Sequence, residues 1–176
     1  MALSLYQATI AQYLQLLPAA IANLDRAEAW AGEQGISANE MLGKRVAPDM
    51  WPLATQVRQV ALHSAGAVKG ATAGAFSPDL DQGLYDFATL RALLTDAIAY
   101  LEGVEETALD AIAGKEVAFS FGGQVRMRFS VEDFLLSFSQ PNFYFHASMI
   151  YAILRGLGVS IGKRDFLGTP RISQPA

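Results

Sequence analysis

The chain has 176 residues, 52% of them hydrophobic, with a formal charge of −4, a pI near 5.1 and a mean hydropathy of +0.23. That length suits one domain, 1–176, with a sizeable core, and the acidic balance offers no basic surface to hold a nucleic-acid backbone. The chain contains no cysteine, which removes disulfides, thiolate metal sites and cysteine nucleophiles.

The N-terminal stretch Met1-Ala2-Leu3-Ser4-Leu5-Tyr6-Gln7 lacks the basic region and apolar core of a signal peptide. No apolar run approaches the ~18 residues that span a bilayer, so the expectation is a soluble, cytoplasmic protein without a membrane partner. Over 3–31, Tyr6, Ile10, Tyr13, Leu14, Leu17, Ile21 and Leu24 recur in helical steps of three and four, predicting a long helix with a kink at Pro18. Residues 32–50 read as a connection, and a second helix is expected from Asp49 as N-cap with Pro52 in its first turn. Gly66 and Gly70 on that helix point to another backbone in close approach, and residues 74–86 read as a second connection.

Asp86 should cap a third helix with the stripe Phe87, Leu90, Leu94, Ala97, Ile98, Leu101 and Val104. Between 115 and 130 the period changes to two around Gly122-Gly123, which predicts a β-hairpin. A three-residue loop pairing Phe121 with Val125 and Phe119 with Met127 is preferred, because it gathers the apolar residues on one face. Ser130 should cap the fourth helix, which Pro141 bends. The tail after Gly158 shows no helical period and should be held down by Ile161, Phe166 and Leu167.

The candidate site lies on the fourth helix. At 3.6 residues per turn, Phe138, Asn142, Phe145, Met149, Ala152 and Ile153 share a stripe with His146 at its edge. A polar amide on an apolar stripe needs a partner, since burial without one costs roughly 1–3 kcal/mol. The chain has two histidines, and the other, His63, lies near the apolar face of the second helix. Ser64 beside it points about 100° away and makes no triad, and Gly122-Gly123 lacks the following helix of a nucleotide loop. Lys163-Arg164-Asp165 reads as a tail salt bridge, and Glu105-Glu106 and Asp79 with Asp81 as solvated charges.

Three runs then carry a resemblance: Ala47-Pro48-Asp49-Met50-Trp51-Pro52-Leu53-Ala54-Thr55-Gln56-Val57, Gln140-Pro141-Asn142-Phe143-Tyr144-Phe145-His146, and Gly162-Lys163-Arg164-Asp165-Phe166-Leu167-Gly168. In this order they resemble a bacterial family of domains of unknown function within the DinB/YfiT-like superfamily, whose members are taken as metalloenzymes. The resemblance implies an all-α, four-helix bundle with a long crossover, here with the small hairpin between helices 3 and 4. It also implies a homodimer, for which the small-residue face at Gly66 and Gly70 is a candidate.

Superfamily members hold a divalent metal by three histidines, and some transfer thiols to electrophiles. Matched by residue, His63 falls at the second-helix ligand, His146 at the later fourth-helix position and Asn142 at the earlier one. An asparagine carbonyl is a weak ligand for zinc or nickel. The leading expectation is therefore a polar cluster or small-ligand pocket at the degenerate site. The alternatives are a divalent-metal enzyme of thiol transferase or hydrolase type, with a pocket rimmed by Trp51, Phe143 or Tyr144, and a non-enzymatic dimeric interaction or stress-response protein.

Overall fold

The computed structural model describes residues 3–78, 83 and 85–173. Asp79 and Asp81 lie outside the described residues. The protein is largely helical with a small three-stranded sheet. A short α1 (Leu5–Ala8), capped by Ser4, leads into α2 (Ile10–Glu33). The chain is interrupted at Thr9, where φ is −123° and ψ −73°, and Pro18 sits exposed inside α2. The connection after α2 contains α3 (Ala38–Leu42), which the sequence period missed; Ser37 caps it by accepting from Glu40 N. A helix this short has too few turns to display a period.

The second long rod starts with α4 (Leu53–Ala61), passes through a π-helical turn at Leu62–Gly66 and continues as α5 (Ala67–Ala73). Pro52 occupies its N-cap position and makes no side-chain cap bond, so Asp49 is not the cap. A methyl group on Gly70 would sit 3.0 Å from the Phe76 ring and 3.1 Å from the Ala75 carbonyl. The close backbone expected at Gly70 is therefore β1 (Ala75–Phe76) of the same chain, and no second copy is needed to explain that glycine.

The third rod is α6 (Phe87–Glu102), capped by Asp86, whose carboxylate accepts from Thr89 N at 2.7 Å. After α7 (Glu106–Asp110) come β2 (Glu116–Phe121) and β3 (Gln124–Ser130), paired antiparallel, with β1 added parallel to β2. The hairpin turn has two residues, and Gly122 (φ 58°) and Gly123 (φ 75°) supply the positive φ that such a turn requires. Phe121 pairs with Gln124 and Ser120 with Val125, not Phe121 with Val125 as expected. A bulge then shifts the register, so that Phe119 meets Met127 and Val117 meets Phe129. The bulge restores the apolar face where it meets the core: Val117 and Phe119 are buried, whereas Phe121, Val125 and Met127 at the tip are exposed.

The last rod begins with α8 (Val131–Asp133), capped by Ser130, passes through a second π-helical turn at Phe134–Ser139 and continues as α9 (Gln140–Leu157). The four rods pack in a ring, α2 against α6 and α9, and α4 against α6 and α9. The tail forms α10 (Lys163–Leu167), a helix not expected from its pattern, and lies along α2. Arg26 pairs with Asp165 at 2.6 Å, and Gln15 Nε2 and Asn23 Nδ2 donate to the Leu167 and Asp165 carbonyls. Ile161 is buried and Phe166 and Leu167 are half-buried, so the tail is anchored as expected.

Candidate functional site

His63 lies in the π turn of the second rod, and the π turn of the last rod ends one residue before Gln140. Such turns insert a residue into the α-helical ladder and recur at functional sites. The insertion in the last rod rotates its inner face. The observed buried residues of α9 are Phe143, His146, Ala147, Ile150, Ile153 and Leu154. The expected stripe was out of phase: Phe145 is 50% exposed, and Asn142 is half-buried at the edge. Asn142 finds its partner within its own helix, where Nδ2 donates to the Phe138 carbonyl at 2.7 Å.

A hydrogen-bonded chain fixes the tautomer of His146. Gln56, buried on α4, donates from Nε2 to the Trp51 carbonyl at 3.0 Å, and this sets which end of the amide faces which way. Its Oε1 then lies 2.7 Å from His146 Nδ1. A carbonyl oxygen only accepts, so Nδ1 carries the hydrogen and Nε2 of the neutral ring is the bare nitrogen. Burial pushes the His146 pKa down to about 4. His63 is pushed down to about 3, first by burial and then by the neighbouring His146. Both imidazoles are neutral at pH 7. His63 Nδ1 is buried with no hydrogen-bond partner.

The ring of His146 lies near-parallel to those of Trp51 (14°) and His63 (16°), each 5.8 Å away between centroids. Phe138 meets His63 edge-on at 5.8 Å. These rings, with Phe119 and Phe121 from the hairpin, wall a cavity of about 330 Å³ whose polar lining is His63, His146, Asn142 and Gln59. The structure thus brings His63, Asn142, His146 and Trp51 together. It places Phe143 elsewhere: that ring is fully buried against Tyr13, 4.7 Å away, and does not rim the cavity. Tyr144 is half-buried beside Phe143 and does not line the cavity either.

Sequence reasoning missed Gln56 and Gln59. The signal was present, since both stand at helical steps from His63, seven and four residues before it. Ser64 directs its hydroxyl to the Val60 carbonyl at 2.7 Å, consistent with its exclusion as a nucleophile. Another groove, about 350 Å³, runs between the second rod and α6. Its cations are engaged by aromatic faces, Arg58 over Tyr85 at 4.8 Å and Lys69 over Tyr100 at 4.5 Å.

Among the described residues no group of three or more His, Cys, Asp or Glu is placed to hold a metal ion. The cavity supplies two imidazoles and two amides, and the Asn142 nitrogen is already committed to Phe138. That donor set falls short of the three imidazole, thiolate or carboxylate ligands that zinc and nickel sites use, so the residues present do not fit the superfamily's metal centre.

By its likeness to known proteins, this largely helical chain with its small sheet falls in the DinB-like class. The chain matches the crystal structure of a DinB family member from Shewanella denitrificans with a TM-score of 0.80 and 28% identity, over 97% of this chain and 96% of that one. A family model described as a domain of unknown function, DUF1993, matches residues 5–167, and the chain belongs to that family. No curated protein matches the chain. No helix among the described residues is long and apolar enough to cross a membrane.

Proposed function

We propose that this DUF1993 protein uses the DinB-like four-helix bundle to hold a small organic molecule in the cavity between the second and last rods, with His63 and His146 as polar contacts. The observation that carries this reading is a pair of neutral imidazoles, one tautomerically fixed by Gln56 and one with an unpartnered buried nitrogen, inside an aromatic-walled space. A volume near 330 Å³ lies at the lower end of the ~300–1,000 Å³ range of small-molecule pockets. His63 Nδ1 has no hydrogen-bond partner among the described residues, and leaving a buried nitrogen unpaired costs roughly 1–3 kcal/mol.

Elemental analysis of untagged protein after zinc, nickel and manganese supplementation, beside a His63→Ala, His146→Ala double variant, tests the reading against the metalloenzyme alternative. We expect no near-stoichiometric metal in either protein, and a thermal shift from small organic probes in the parent only. Near-stoichiometric metal in the parent that disappears in the variant would replace the ligand pocket with a divalent-metal enzyme of transferase or hydrolase type. A homodimer is a separate proposal that rests on the superfamily resemblance, since Gly70 already meets β1. Light scattering reads it, and a monomer mass at high concentration would end it.

A further inference from the structure

Resting on the reading of this cavity as a ligand pocket, we propose that its occupant is a neutral, flat aromatic molecule bearing one N–H or O–H donor, of the phenol or indole class. The described lining contains no Lys, Arg, Asp or Glu. A carboxylate or phosphate would therefore enter without a cation, and an ammonium group without a carboxylate. A buried charge without a partner costs several kcal/mol. Both imidazoles are neutral, so they do not make up the deficit. Among the described lining, then, nothing offsets a charge on the occupant.

Two of the four polar groups that line the cavity have already spent a hydrogen. His146 commits its Nδ1 hydrogen to Gln56, which leaves Nε2 as an acceptor. Asn142 commits an Nδ2 hydrogen to the Phe138 carbonyl, and its oxygen has no partner among the described residues. An acceptor in an apolar space is matched by a donor, and a hydrocarbon leaves it unpaired. Shape follows from the walls. Trp51, His146 and His63 present near-parallel rings, and Phe119, Phe121 and Phe138 close round them. Flat rings gain offset-stacked and edge-on contacts there that an aliphatic chain of equal area does not.

The test is an NMR titration of the full chain that follows the imidazole signals of His63 and His146, using phenol, indole, toluene, benzoate and benzylamine as probes at pH 7. Phenol and indole should bind roughly three- to tenfold more tightly than toluene, the worth of one neutral hydrogen bond, and benzoate and benzylamine should show no saturable binding. In a His146→Phe variant, which keeps a ring but loses one of the two acceptors, the preference for phenol over toluene should fall. Equal affinity of phenol and toluene in the parent would overturn the donor requirement while leaving the pocket standing. Preferential binding of benzoate or benzylamine would overturn the charge argument. No saturable binding by any probe would overturn this inference and the ligand-pocket reading together. The parent series decides without the variant, so the inference stays testable even if His146→Phe does not fold.

Discussion

The third rod, α6, and the last rod both begin with a side-chain cap three residues ahead, Asp86 to Thr89 N and Ser130 to Asp133 N. They differ beyond the first turn. In α6 the buried residues Phe87, Leu90, Leu94, Ala97 and Leu101 alternate steps of three and four, as one α-helical face requires. In the last rod Val131, Leu135, Ser139, Phe143 and Ala147 are buried at steps of four, sixteen residues where four α turns take about 14.4. The π turn absorbs the excess. The regular rod buries only apolar residues, whereas the irregular one turns His146 inward opposite the π turn that carries His63. A break in helical period is what brings the two histidines to face one another inside the ring of helices.

The largest effect that can break this comparison comes from Phe143 and Phe145, two rings close in sequence that the rotated face separates completely. Phe143→Ala empties a fully buried site and should cost about 3–5 kcal/mol in urea unfolding, while Phe145→Ala, at a half-exposed position, should cost far less. Equal costs, or the reverse order, would restore the unrotated stripe.

The histidine pair gives the next effect. His63 and His146 have folded pKa values near 3 and 4, below the ordinary 6.5. Between pH 6.5 and these values the unfolded chain binds protons that the native state refuses, so stability is full above about pH 6.5 and is lost as pH falls. At pH 5 the loss should be on the order of 1–2 kcal/mol per histidine. Urea midpoints of the parent and of His63→Phe at pH 7 and 5 check this, and an identical pH dependence in both would show that His63 is not held neutral.

Smaller effects sharpen the picture at the ends and in the core. Ser130→Ala removes the cap of the irregular rod and should cost about 1 kcal/mol, read as a lowered urea midpoint. Tyr13 is fully buried with an unpartnered hydroxyl, and burial raises its pKa. Tyr13→Phe should therefore leave stability unchanged or raise it by up to about 1 kcal/mol. A clear loss would mean that the hydroxyl has a partner.

The legible parts of the fold were those written in local chemistry. The caps at Asp86 and Ser130, the long α6 stripe and the Gly122-Gly123 turn arise from side chains within a few residues of the structure they make. Half of the hairpin register was legible as well, because the apolar alternation of Val117 and Phe119 had to meet the core; the bulge that separates it from the tip has no residue signature. The π turns were illegible for the same reason: an extra residue in a helical turn changes no composition, only the phase of everything after it. That phase error explains why Phe143 was expected at the pocket and is found in the core, while His146 was expected at the edge of the stripe and is found at the centre. β1 depends on a pairing with β2 some forty residues later, which no local pattern announces.

At the centre of the site, Gln56 holds His146, whose ring lines the cavity, neutral with its hydrogen on Nδ1 and Nε2 bare. Imidazole ¹⁵N NMR on uniformly labelled protein reads this directly. The predicted result is a neutral His146 from pH 7 to pH 5 with the hydrogen on Nδ1, and loss of that single tautomer in Gln56→Leu. A hydrogen on Nε2, or an imidazolium at pH 6, would contradict it.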